Sequence, residues 1–302
     1  MSYVVTRRRS PVFKPSGRLM LDNSHSLATN LAFAVVPEVN GPAHPSTVVA
    51  LSGQNARYPR DLVSGKMPTQ TVGARSDFGY TKELSSYPHD KQLETVYRTS
   101  AISANPGVLN YGRTQASDIT SKGSIFAICR QYQNAFSRAT LISDGENSNG
   151  YGFQLYVDDV AVVTNGFWLH GNNSDQGSPT SDILGASHEL RYHRLAMTWD
   201  GTNIKSYTGG KLVDTDASAF AATAHANRVT KLFADRADLK GFTGGLSIIL
   251  VWARAISEPE YQALYQNPWQ ILKPRPTIVL MPSATVGAPA STSSNLLILG
   301  CG

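Results

Sequence analysis

Charge is scarce in this chain. Lys and Arg number 27 and Asp and Glu 22, which is 16% of 302 residues, against roughly 25% in an average globular protein. The net charge of +5 is too thin to form the basic stripe with interleaved aromatics that nucleic-acid binding needs. No nucleic-acid partner is therefore expected. Cysteine is scarcer still. Cys129 and Cys301 are the only two, so a disulfide framework and a cysteine-based zinc site are both excluded. Long apolar runs are missing as well. Stretches such as 246–253 fall far short of the ~20 residues that cross a bilayer, and no membrane association is expected. There is no internal repeat and no heptad run, which argues against a self-supporting coiled-coil fibre. The first residues, Met1-Ser2-Tyr3-Val4-Val5-Thr6-Arg7, lack the basic-then-apolar order of a secretory signal. The expectation is a protein made in a reducing cytoplasm and not exported by that route.

Apolar residues, in contrast, are ample at 41%, and Ser plus Thr outnumber all charged residues. A folded, turn-rich, neutral-polar protein follows. Alternating β-branched and aromatic residues bounded by Gly, Asn and Asp predict strands at 93–98, 122–130, 138–143, 151–157, 160–169, 190–199, 203–208, 211–215, 229–234 and 240–252. Asp158-Asp159, Asp200-Gly201 and Gly209-Gly210 read as turns between them. Short strands joined in this way predict an all-β antiparallel sandwich or barrel. Ile125, Ile128, Phe153, Leu155, Leu195, Met197, Ile248 and Leu250 are its expected core. One helix is predicted over 257–266: Ser257 and Glu260 form a capping box, Pro259 lies in the first turn and Asn267-Pro268 ends it. Residues 1–18 read as an extended basic arm carrying Arg7, Arg8 and Arg9. Residues 19–272 read as the domain, best supported over 93–272 and irregular over 19–92. Residues 273–302 read as a second arm ending in Leu296-Leu297-Ile298-Leu299.

Catalytic signatures fail on inspection. Gly150-Tyr151-Gly152 has Leu155 where the third glycine of a dinucleotide loop belongs. His188 and His193 are five apart, whereas a zinc-binding helix needs four. No carboxylate pattern suits glycoside hydrolysis, and no G-x-S-x-G elbow occurs. The expectation is no enzyme activity, no cofactor and no metal. Two oxygen-rich segments remain as candidate ligand loops. The first holds Asp144, Glu146, Asn147 and Asn149; the second holds Asn172, Asn173 and Asp175, with Trp168 nearby. Neither fits an EF-hand, since Asn149 and Leu155 stand where Gly and Glu are required. Each reads either as a solvated hairpin loop or as a looser site for Ca²⁺ or sugar hydroxyls.

Two stretches carry a resemblance. His193-Arg194-Leu195-Ala196-Met197-Thr198-Trp199-Asp200-Gly201, followed by Ile204-Lys205-Ser206-Tyr207-Thr208-Gly209-Gly210-Lys211, resembles the strand–turn–strand of laminin-G-like, concanavalin A-like lectin/glucanase domains. Gly244-Gly245-Leu246-Ser247-Ile248-Ile249-Leu250-Val251-Trp252, with the corner Arg254-Ala255-Ile256-Ser257-Glu258-Pro259-Glu260, is similar to the closing strand and helix of that family. Asn267-Pro268-Trp269-Gln270-Ile271-Leu272 resembles the ending found in versions from tailed bacteriophages. Asp22, His25, Leu27, Ala28 and the run Arg60-Asp61-Leu62-Val63-Ser64-Gly65 are similar to the N-terminal part of those phage proteins. The resemblance implies a concanavalin A-like jelly-roll sandwich with one short C-terminal helix and terminal arms. It implies a virion structural or adhesive protein, such as a tail or baseplate accessory or a capsid decoration subunit, assembled in the host cytoplasm. Its expected partners are major capsid or tail proteins and further copies of itself. The alternative is a carbohydrate-binding module for host surface polysaccharide. Arg7, Arg8, Arg9, Leu296, Leu297, Ile298 and Leu299 are the expected assembly residues. Folding the apolar run back on its own sandwich is the alternative to docking it on a neighbour.

Overall fold

The computed structural model describes residues 19–37, 59–70, 78–84, 93–99, 108–131, 139–145, 152–159, 164–171, 174–176, 192–217, 219–220, 222, 225–234, 241–242 and 244–274. In chain order their strands are β1 (Leu19–Leu21), β2 (Leu31–Val35), β3 (Thr69–Gln70), β4 (Phe78–Leu84), β5 (Leu93–Thr99), β6 (Leu109–Asn110) and β7 (Gly123–Gln131). Then come β8 (Ala139–Gly145), β9 (Gly152–Asp159), β10 (Thr164–Gly171), β11 (Ser174–Gln176), β12 (His193–Trp199) and β13 (Ile204–Thr208). The last are β14 (Lys211–Asp216), β15 (Val229–Leu232), β16 (Gly244–Trp252) and β17 (Leu272–Pro274), with helix α1 (Glu258–Gln266) before β17.

Two large antiparallel sheets form, as the alternation predicts. One runs β14-β13-β12-β7-β16-β5-β4, with β2 on β16 beside β5; the other runs β11-β10-β9-β8-β15-β6-β3. The long edge of β16 is shared, Gly245–Leu246 pairing with β5 and Ile249–Trp252 with β2. Between the sheets lie Ile125, Ala127, Leu195, Met197 and Val251 from the first and Ile142, Phe153, Leu155 and Leu232 from the second. The chain is an antiparallel β-sandwich with one short helix.

All eight expected core residues are buried, but they do not share one core. Ile128, Ile248 and Leu250 point to the other side of the first sheet. There they meet Leu21, Leu27, Tyr261, Leu264, Trp269 and Ile271. This explains why 125–129 reads as an unbroken apolar run: Ile125, Ala127 and Cys129 face the sandwich, and Phe126 and Ile128 face the helix. The second layer also corrects the irregular reading of 19–92. Leu19, Met20 and Leu21 pair with Pro274, Lys273 and Leu272, so β17 reaches into what the sequence reads as an arm. Asp61 is fully buried, and its carboxylate accepts hydrogen bonds from the backbone N–H groups of Ala34 (3.0 Å), Val63 (3.1 Å) and Ser64 (3.1 Å). It thereby ties the 61–65 turn to β2. The apolar piece at 47–51, residues 1–18 with Arg7–Arg9, and residues 275–302 with Leu296–Leu299 lie outside the described residues.

The expected turns form with one shift. Gly209 and Gly210 adopt φ of 59° and 81°, the left-handed pair that a two-residue hairpin requires. Asp200 Oδ1 accepts from Thr202 N–H (2.9 Å) and Asn203 N–H (2.8 Å), and those bonds hold its carboxyl below the usual range. Asp158 and Asp159 are not a turn. Both belong to β9, and Asp159 pairs with Thr164, so β10 starts later than the sequence predicts.

Helix α1 has the predicted capping box. Glu260 accepts from Ser257 N–H (2.8 Å) and pairs with Arg254 (2.7 Å). Partial burial works against its charge, but the Arg254 guanidinium and the Ser257 N–H and O–H outweigh burial and hold its carboxyl down at about 2. The folded pKa lies below the ordinary value, so this stabilisation is complete above pH ~4.5 and is lost as the pH falls toward 2. Glu260→Gln should therefore cost about 1 kcal/mol at neutral pH. Thermal melts at pH 7 and pH 2.5 check this: the gap between wild type and variant should shrink at the lower pH.

Candidate functional site

The second sheet carries the polar chemistry, and its two faces differ. Phe153 and Leu155 of β9 are buried between the sheets, so alternation places Gln154 and Tyr156 on the opposite, outer face. Directly opposed residues in antiparallel strands share a face, and the registers extend that face across all seven strands. Gln154 is opposite His170, and His170 is opposite Asp175. On its other side Gln154 is opposite Ser143, then Ser143 faces Lys231, Lys231 faces Asn110 and Asn110 faces Thr69. Tyr156 and Trp168 are paired in the next row of the same face. Register thus places Asp175, His170, Gln154, Ser143, Lys231, Asn110 and Thr69 in one row and Tyr156 and Trp168 in the next.

The middle of this row is closed. Ser143, Gln154 and Lys231 are 0%, 7% and 2% exposed. Phe233 sits at φ 66°, a left-handed conformation unusual for a bulky side chain, directly after β15. The next carbonyl, that of Ala234, accepts a hydrogen bond from Ser143 Oγ (2.9 Å). Thr69, at the far end of the row, is exposed and Asn110 is half-buried. Register assigns Tyr156, Trp168, His170 and Asp175 to the β9–β10–β11 end.

Of the sequence-derived candidates, register places Trp168, in β10 within the predicted strand 160–169, and Asp175, in β11 rather than in a loop, on one face. Asn172 and Asn173 fall between Gly171 and Ser174, which pair with each other; both residues lie outside the described set, as do Glu146, Asn147 and Asn149. Asp144 is a correction. It is a strand residue of β8, fully buried on the inner face. Its Oδ1 accepts from Arg228 Nε (2.8 Å), and its Oδ2 accepts from Thr230 Oγ1 (2.5 Å) and Ser117 Oγ (2.8 Å). Arg228 also donates to Ile119 O (2.8 Å). Thr114 Oγ1 lies 2.6 Å from Thr230 Oγ1 and caps the short turn at 115–118. The carboxylate has no free oxygen with which to bind a loop cation. The sequence gives no sign of Arg228, whose partner is 84 residues away.

Among the described residues no three His, Cys, Asp or Glu side chains gather as a metal site. No helix among them is long and apolar enough to cross a membrane. Chelator should leave the melting temperature unchanged. A fall of more than ~10 °C that Ca²⁺ restores would show a tight native-state cation.

No protein-family profile matches the chain, and no curated protein matches it. Several solved structures are similar in part. Domain 4 of AbnA, a GH43 extracellular arabinanase from Geobacillus stearothermophilus in complex with arabinotriose, is 12% identical; the match covers 68% of this chain and 91% of that one, with a TM-score of 0.48. The CBM40 of Ruminococcus gnavus IT-sialidase bound to α2,3-sialyllactose is 15% identical over 48% and 83%, with a TM-score of 0.38. The binding domain of botulinum neurotoxin DC in complex with SialylT is 14% identical over 80% and 52%, with a TM-score of 0.47. These are limited likenesses, and the assignment as a β-sandwich rests on the strand registers.

Proposed function

We propose that the chain is a non-enzymatic carbohydrate-binding β-sandwich whose ligand face is the β9–β10–β11 end of the second sheet. The observation that supports this is the register itself. Tyr156 is paired with Trp168, next to the pair His170–Asp175. Sugar rings need flat apolar surface for their C–H faces and fixed hydrogen-bonding groups for their hydroxyls, and this face offers both residue types within two rows. A glycan array on the full chain tests the reading, followed by calorimetry on each hit with Trp168→Ala. Binding should weaken at least about tenfold in the variant, with the thermal melt unchanged. If the wild type binds no glycan, or if Trp168→Ala binds equally well, the reading is wrong.

The setting we propose is a tailed-phage virion, with capsid or tail proteins as neighbours. Its support is the resemblance of the α1 helix and the following Asn267-Pro268-Trp269-Gln270 to phage proteins. Mass spectrometry of purified virions should detect the chain. Its absence from particles would remove this setting and leave glycan binding untouched.

A further inference from the structure

We propose that the edge of β14 receives the segment Asn295–Leu299 of a second copy of this chain as an added strand. The inference is independent of glycan binding. Strand β14 is the outermost strand of the first sheet, and β13 is its one strand partner among the described residues. An outermost strand carries a row of backbone donors and acceptors that a further strand can pair. This edge is also apolar where edges are usually polar. Leu212 and Val213 are 38% and 41% exposed, and they are two of the three exposed large apolar residues in the described chain. Val213 is the extra residue of a bulge, since Ser206 pairs with Asp214 and Tyr207 with Leu212. Lys211, Asp214 and Asp216 flank the pair.

The occupant is argued from the sequence outside the described residues. Ser291-Thr292-Ser293-Ser294-Asn295-Leu296-Leu297-Ile298-Leu299-Gly300 has no charge, so it can lie beside Lys211 and Asp214 alike. It holds four successive large apolar residues, two for each face of a strand. Twenty residues, 275–294, separate it from the end of β17. At ~3.3 Å per residue, that linker reaches across to a neighbouring domain. Leu212 and Val213 are exposed, and the segment of a second copy would cover them. Exchange of segments between two copies makes a closed two-fold pair, because each copy gives one strand and takes one.

Cysteine pairing tests this in the full chain. Cys301→Ser removes one native thiol, and Cys129 is buried at 2% exposure. On that background Val213→Cys and Ile298→Cys are made separately, mixed and oxidised. A disulfide-linked pair joining one copy of each variant is expected. Wild type should sediment as a dimer, and Leu297→Asp/Ile298→Asp should dissociate at least about tenfold more readily with the same melting temperature. Three outcomes would each overturn the proposal. The first is a wild type that is monomeric at every concentration. The second is a dimer that survives Leu297→Asp/Ile298→Asp. The third is no disulfide between the two mixed variants, together with a monomeric disulfide in a chain carrying both Val213→Cys and Ile298→Cys, which is what a tethered segment at millimolar effective concentration would give on its own edge.

Discussion

Arg228→Ala should destabilise the folded chain by about 3–5 kcal/mol, a large part of the 5–15 kcal/mol that holds a typical domain together. Arg228 and Asp144 both have side chains that are 0% exposed, and their charged atoms are 2.8 Å apart. Removing the guanidinium leaves a carboxylate in the sandwich with two hydroxyl donors and no counter-charge. It also leaves the Ile119 carbonyl without the Arg228 N–H. The turn at 115–118 is joined to the second sheet largely through this cluster, so local unfolding of that turn should accompany the loss. Asp144→Ala should also destabilise, because it removes the carboxylate that accepts from Arg228 Nε, Thr230 Oγ1 and Ser117 Oγ. Replacing both together, Asp144→Leu with Arg228→Met, should cost less than the sum of the single changes, because no charge is then left unpaired. Urea unfolding of the four proteins measures this. Single-variant losses below 1 kcal/mol would mean that water reaches the pair.

Gly123→Ala is expected to cost about 1–3 kcal/mol, unusual for the addition of one methyl group. Gly123 is paired across the strands with Trp199. A Cβ at Gly123 would come within 2.2 Å of the Trp199 ring. The ring has no room to yield. It is fully buried, with Phe153 at 5.6 Å and Phe220 at 5.3 Å between ring centroids. The clash therefore has to move either the indole or the β7–β12 pairing. Trp199→Leu alone opens a cavity and costs several kcal/mol. In the Gly123→Ala background the same change should cost distinctly less, because the methyl group fills part of the space. Additive losses would place the strain elsewhere.

The strands of the sandwich were legible because each carries its own alternation. All ten predicted strand regions contain a strand, and the capping box located α1 to within a residue. The outer layer was not legible. Three-residue pieces such as 19–21 and 272–274 are too short to show a period, and they become strands only by meeting each other. Ile128, Ile248 and Leu250 look like any inward-facing residues, since the sequence does not reveal that the first sheet is covered on both sides. Asp144 was misread for a related reason. Asp-Gly-Glu-Asn has the composition of a turn, and only the distant Arg228, Thr230 and Ser117 make a buried strand position tolerable for a carboxylate. Sequence alone places Asp175 in an oxygen-rich loop and Trp168 in the strand before it. Their shared face depends on the register of three strands, which alternation within one strand does not encode.

Amide NMR shifts on titration with a glycan taken from the array test the ligand face most directly. The expected result is a set of perturbed amides centred on Tyr156, Trp168, His170 and Asp175, with β12, β13 and α1 undisturbed. Perturbations centred on β12–β14 or on α1 would contradict it.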